Sequence, residues 1–153
     1  MRRSDREVTK PDEIVQIMRR CEVLHIAIPG DNAPYLLPVS FGMEADGMTL
    51  YIHGAMQGMK YDLLEKDPRV GFEMDCTYGL VRSETAHDCS VAYESVMGWG
   101  VIDELREELQ KHHALQCIMA QYHAGDISVD DRIIPHTKVL RLQVRERTAK
   151  RRR

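Results

Sequence analysis

Residues 35–66 read YLLPVSFGMEADGMTLYIHGAMQGMKYDLLEK, and the order of signals in this stretch decides the fold class. The apolar run 34–41 (PYLLPVSF) predicts a strand. Pro38 interrupts it, because a residue without an N–H marks an edge, a bulge or a ligand-facing break in a ladder. Asp46-Gly47 is turn chemistry for a hairpin, and 48–53 (MTLYIH) predicts the returning strand. His53-Gly54-Ala55 ends that strand in small residues. Residues 58–66 then predict a short helix that carries Lys60 near its start and offers Tyr61, Leu63 and Leu64 as an apolar face. Asp67-Pro68 ends it.

The junction between this strand and this helix has two readings. Small residues let backbone N–H groups approach an anion, a helix N-terminus adds its dipole, and Lys60 adds a charge nearby. Together these make a phosphate cradle without a Walker motif. The same glycines fit a tight turn followed by a surface lysine.

Outward from this stretch, Thr9 is expected to cap a helix with Pro11, Asp12 and Glu13 in its first turn and Ile14, Ile17 and Met18 on its apolar face. Residues 22–28 (EVLHIAI) predict a strand, 29–32 a turn, and 70–74 (VGFEM) a further strand. Residues 76–90 are expected as a long loop or irregular hairpin, and 91–102 (VAYESVMGWGVI) as a long strand. Asp103 is expected to cap a helix running to about His123, burying Leu105, Leu109, Leu115, Ile118, Met119 and Tyr122. A loop at 126–135 and a last strand at 138–144 complete the pattern. Hairpins favour antiparallel pairing, so a doubly wound sheet is excluded. A mainly β fold, a closed or split barrel with flanking helices, fits best because closure removes the edges of so many short strands.

The chain has 153 residues, 43% hydrophobic and 29% charged, which excludes disordered and fibrous classes. It is expected to form one domain over 1–146 with a basic tail at 147–153. No apolar run approaches the roughly 18 residues of a membrane helix. The opening MRRSDREVTKPDE lacks the apolar core of a secretory signal. A cytoplasmic location is expected, with no membrane partner. Cys21, Cys76, Cys89 and Cys117 form no CxxC pair and are expected as thiols.

Net charge is −3, unevenly spread. From Lys138 onward there are eight basic residues and one acid, leaving 13 basic and 23 acidic residues before it. An acidic body without a recognition motif excludes nucleic acid as a partner. The tail is expected to be solvated, or to fold back on an anionic ligand or a partner subunit. His113 and Cys117, four apart on one helix face, join Cys76, His87, Cys89 and His123 in a nominal pool of metal ligands. That pool lacks the paired spacing of zinc sites, so no metal is expected. Ser83, Ser90 and Ser95 lack a His/Asp pattern, which sets aside acyl transfer.

The ordered set MRRSDREVTKPDEI, PYLLPVSFGME, TLYIHGAMQGMKYDLLEKDPRVGFEMD, YESVMGWG and MAQYH resembles the nitroimidazole-resistance (Nim) branch of the pyridoxamine 5′-phosphate oxidase-like, FMN-binding split-barrel superfamily. The resemblance implies a homodimer with two FMN sites at the subunit interface, each built from both chains. It places Pro38, Val39, Ser40 and Phe41 beside the isoalloxazine ring. His53, Gly54 and Ala55 would lie near the ribityl chain and phosphate, and Lys60 would bind the phosphate. Tyr93, Ser95 and Val96 would face the cofactor of the other subunit. Pro38 suits this placement, since a flavin edge strands no donor there. Lys150 and Arg151 are second candidates for the phosphate, although Thr148-Ala149-Lys150-Arg151 departs from the family's Thr-Gly-Lys-Arg. Trp99 would either stack on flavin or pack in a barrel or dimer core.

His53 has two implied roles: proton donor or electrostatic partner to a substrate reduced by flavin, or a ligand to the phosphate or ribityl chain. The implied activity is FMN-dependent reduction of small oxidised organic compounds, 5-nitroimidazoles among them. Oxidation of pyridoxamine phosphate is less supported, because no arginine cluster stands ready for a substrate phosphate. The alternatives are a non-catalytic carrier of flavin, heme or deazaflavin, and a dimeric scaffold without cofactor.

Overall fold

The computed structural model describes residues 4–85, 89–122 and 128–152. A 3-10 turn (Ser4–Arg6) and a short strand β1 (Glu7–Val8) precede helix α1 (Pro11–Arg20). Pro11 opens this helix, where its missing N–H costs nothing. Asp12 and Glu13 in the first turn and Arg19 and Arg20 in the last complement the helix dipole. Thr9 does not cap it; Lys10 holds that position without a side-chain bond. The chain continues through β2 (Leu24–Ile28), β3 (Tyr35–Val39), β4 (Phe41–Met43), β5 (Thr49–Gly54), α2 (Met59–Lys66), β6 (Arg69–Val81), β7 (Ser90–Leu105), α3 (Glu108–Gln121), a 3-10 turn (Asp131–His136) and β8 (Lys138–Arg152).

All pairings are antiparallel and give one eight-stranded sheet in the order β3-β2-β6-β7-β8-β5-β4, with β1 added against β8. β3 and β4 are opposite edges of this order, yet only Ser40 separates them in the chain. Consecutive Cα atoms are about 3.8 Å apart. The sheet therefore curls until its two edges meet at Ser40, and the result is the expected split barrel. The run 34–41 is thus two strands, with Pro38 on an edge strand opposite His25.

The curled sheet encloses the main core. Ile17 and Met18 of α1 meet Leu24 and Ile26 of β2, Phe41 of β4, Leu50 and Ile52 of β5, Met74 of β6, Val96 of β7 and Leu142 of β8 there. Each large side chain buried this way contributes roughly 1.5–3 kcal/mol. Alternation sends Tyr51 and Val139 to the opposite face, where they form a second cluster with Ala114, Leu115 and Ile118 of α3. Helix α3 lies directly on β4 at Gly42, where an added Cβ would stand 2.3–2.6 Å from backbone atoms of Cys117 and Ile118.

Several expectations fail for identifiable reasons. Residues 76–81 are strand, paired with Ser90–Glu94 across a register shift between Thr77 and Gly79. Both faces of this extension are partly exposed, so no hydrophobic alternation marks it. Asp103 lies in β7 and pairs with Arg141 at 2.8 Å; α3 is preceded by Glu107. Leu109 is 87% exposed, while Lys111 is buried and donates to the Ile134 carbonyl. Residues 147–152 are no solvated tail but the far half of β8. Ala149 is buried opposite Val96 there, and Arg151 pairs with Glu13 and Glu94. Loss of alternation after Val144 hid this half of the strand. The expected helix end at His123 lies outside the described residues. All four cysteines are free, with the Cys21 and Cys76 sulfurs 3.3 Å apart. No helix among the described residues is long and apolar enough to cross a membrane.

Candidate functional site

β5 ends at Gly54, opposite Lys138 at the start of β8. The chain then turns into α2, whose cap residue Gly58 brings no side-chain hydrogen bond to the first turn. The leading N–H groups of a helix lack intrahelical partners, so this end attracts anions. The Tyr61 hydroxyl donates to the Ala55 carbonyl at 2.6 Å and ties the helix to the loop. The Lys60 and Lys138 ammonium groups stand 5.0 and 4.3 Å from the centre of the Tyr61 ring. Lys138 also pairs with Glu104 at 3.3 Å. Lys60 has no carboxylate within salt-bridge reach among the described residues. At Gly54 a Cβ would lie 2.5 Å from the Lys60 nitrogen and 2.9 Å from the Tyr61 hydroxyl, so only glycine lets both groups close over the strand end.

The electrostatics follow from two cationic groups held together. Burial lowers the Lys60 pKa. Burial, and then the Lys60 charge, lower that of His53, which favours a neutral imidazole at neutral pH. An anion placed among these groups reverses both effects. The arrangement is chemically suited to a phosphate or another compact anion.

The structure gathers part of the expected site and disperses the rest. Phe41 stands opposite Ile52, which puts Ser40 beside His53 at the same end of the barrel as Gly54, Ala55 and Lys60. Phe41 itself is buried, and its N–H already donates to the Tyr122 hydroxyl oxygen at 3.1 Å. Pro38 and Val39 are on the adjoining edge strand. Tyr93, Ser95 and Val96 are far away: Ser95 stands opposite Lys150, whereas Gly54 stands opposite Lys138. Those rungs are separated by about 40 Å of strand path at ~3.3 Å per residue. The two groups of residues cannot line one site within a single chain. Val96 points into the core. Arg151 is committed to Glu13 and Glu94, so it is no free cation for a phosphate. His87 and His123 lie outside the described residues.

Ser95 shares its face of β7 with Met97 and Trp99. Both are exposed and line an apolar groove of about 460 Å3 together with Ala27, Leu36 and Gly98. Trp99 is therefore not in the barrel core. Lys138, Tyr61 and Glu104 were missed by sequence reasoning. Tyr61 shows only as part of an apolar helix face, and Lys138 and Glu104 reach the cradle through strand register that no local pattern encodes.

A sequence model of the family described as pyridoxamine 5′-phosphate oxidase matches residues 10–151. The chain belongs to that family. Among solved structures, a candidate 5-nitroimidazole antibiotic resistance protein from Bacteroides thetaiotaomicron is 26% identical, with a TM-score of 0.80 over 94% of this chain and 85% of that one. A flavocytochrome from Azotobacter vinelandii has a TM-score of 0.78 at 23% identity, covering 94% and 69% of the two chains. A FAD- and heme-binding protein from Mycobacterium smegmatis reaches 0.83 at 16%, covering 95% and 73%. At such identities these two establish the split barrel common to the pyridoxamine 5′-phosphate oxidase family and nothing finer. No curated protein matches the chain.

Proposed function

We propose that this member of the pyridoxamine 5′-phosphate oxidase family is an FMN-binding flavoprotein that works as a homodimer and reduces small oxidised organic compounds, 5-nitroimidazoles among them. The observation that carries the reading is Lys60, a cation without a carboxylate partner among the described residues, closed over a glycine strand end beside an uncapped helix. Such a donor set suits the phosphate of a mononucleotide. His53, Gly54 and Ala55 would bound the phosphate and ribityl chain. Pro38, Val39 and Ser40, with the backbone at Phe41, would border the ring.

The remaining wall comes from a second copy. Tyr93 and Ser95 are too far along β7 to serve their own chain's cradle, and Met97, Trp99 and Leu36 leave an apolar groove on the same face. Exposed apolar surface of this kind is normally covered by a partner. Val96 shapes that strand from inside the core.

Bound flavin would supply electron transfer. The protein's own residues would hold the anion, exclude water and set the charge beside it. A neutral His53 is suited to hydrogen bonding with phosphate or ribityl oxygens. It becomes a proton donor only where the ligand's negative charge raises its pKa. The free thiols fit a reducing, cytoplasmic compartment.

The test is anaerobic. FMN-loaded protein is reduced chemically, and the flavin absorbance is followed after addition of a 5-nitroimidazole. Reoxidation with consumption of the nitro compound supports the reductase. Reduced protein that persists in the presence of nitro compounds identifies a carrier instead.

A further inference from the structure

We propose that Glu44, His113 and Cys117 form a site for one borderline-soft divalent cation of the zinc class, with a fourth position open to water. Their ligand atoms all lie within 4.8 Å of one another. The site is distinct from the flavin cradle and stands whether or not flavin binds.

Two of the three ligand–ligand edges are close to what such an ion requires, and the Cys117–Glu44 edge, within 4.8 Å, closes toward about 3.6 Å as the half-exposed carboxylate turns. Zn–S of about 2.3 Å and Zn–N of about 2.05 Å place sulfur and nitrogen about 3.6 Å apart on a tetrahedron. The Cys117 sulfur and His113 Nε2 are 3.6 Å apart. His113 Nε2 and Glu44 Oε1 are 2.7 Å apart as a hydrogen-bonded pair. That edge must open by about 0.6 Å to reach the roughly 3.3 Å of a zinc-bound N and O. Both of these side chains reach solvent, so rotation of either provides the change, and the ion has a path in.

The mounting is rigid. His113 and Cys117 are four apart on α3 and share a face. Gly42 seats α3 directly on β4, fixing Cys117 against the strand that leads to Glu44. The Tyr51 hydroxyl donates to Glu44 Oε1 at 2.6 Å and orients the carboxylate, as outer-shell groups do in metal sites. The Tyr51 ring meets the His113 ring edge-on, with centroids 5.9 Å apart, and limits its rotation. A nitrogen, oxygen and sulfur donor set favours zinc-class ions over magnesium or calcium. On binding, the Cys117 thiol loses its proton to solvent and its thiolate takes the bond to the ion. The ion would staple α3 to the hairpin of β4 and β5.

The probe is Co2+, titrated into the metal-free full-length protein in a non-thiol reductant. The expected result is a thiolate-to-cobalt charge-transfer band with tetrahedral visible bands, saturating at one ion per chain. Zn2+ should abolish the bands and Mg2+ should not. Cys117→Ser should remove the charge-transfer band, His113→Gln should weaken binding at least tenfold, and Cys76→Ser and Cys89→Ser should change neither. Circular dichroism confirms folding, and His113→Gln decides the matter if Cys117→Ser does not fold. Absence of a thiolate band at saturating Co2+, its survival in Cys117→Ser, or displacement by Mg2+ overturns the proposal.

Discussion

Replacing Glu94 with Gln isolates the charge cluster that ties α1 and the ends of β7 and β8 together. Glu94 is 5% exposed. It accepts hydrogen bonds from Arg20 at 2.6 Å and from Tyr78 and Arg151 at 2.5 Å, and Arg151 reaches on to Glu13 at 2.9 Å. Burial raises the Glu94 pKa, but the hydrogen bonds from Tyr78, Arg20 and Arg151 outweigh it and bring the carboxyl from 4.5 down to about 2. A depressed carboxyl pKa stabilises the fold above pH 4.5, and that contribution disappears as pH falls toward 2. The ceiling is about 3.4 kcal/mol. The Arg20 side chain is 42% exposed, so solvent screens part of this, and about 2 kcal/mol remains. For a domain of this size that is a Tm loss of about 4–8 °C at pH 7. Urea unfolding of wild type and Glu94→Gln from pH 7 to 2.5 measures it. The gap should be about 2 kcal/mol at neutral pH and should shrink below about pH 4.5, where the unfolded chain's Glu94 takes up a proton that the folded carboxyl refuses until about pH 2. A gap under about 0.5 kcal/mol, or one that does not change with pH, would mean that the Glu94 charge does not stabilise the fold.

Other perturbations test the site and the packing. Gly54→Ala puts a methyl group against the movable ends of Lys60 and Tyr61. The fold should lose less than about 1 kcal/mol, while FMN affinity measured by fluorescence quenching drops about tenfold. The His53 imidazole should titrate below 6.5 by NMR and move upward in Lys60→Ala, because the neighbouring charge is gone; an unchanged pKa contradicts the placement of Lys60. Gly42→Ala forces α3 off β4 and should destabilise the protein by about 3 kcal/mol in urea, at the upper end of overpacking costs, because the obstruction is backbone.

Much of the barrel was legible where burial is one-sided. The strands around 24–28, 49–54 and 69–74 alternate or stay apolar, and Pro11, Asp12 and Glu13 announce α1. The polar extensions of β6 and β8 were not legible. Asp75, Thr77, Glu146 and Arg147 are held by ladder pairing, and Tyr78 and Arg147 by side-chain hydrogen bonds, rather than by a core. Leu109 was misplaced because Asp103 looked like a cap, which set the helix one turn too early. At the site, Lys60 and His53-Gly54-Ala55 showed locally as small residues before a helix. Lys138 and Glu104 did not, since only the pairing of β5, β8 and β7 brings them to Tyr61. Glu44 gave no signal as a neighbour of His113 and Cys117, because that contact spans 69 residues.

The most direct test of the account is FMN binding itself, by equilibrium dialysis of the purified protein alongside Lys60→Ala. The expected result is one FMN per chain and a Kd raised about 10–100-fold by the substitution, the weight of one charged hydrogen bond to the phosphate. No retained FMN at micromolar concentrations, or equal retention by both proteins, would contradict it.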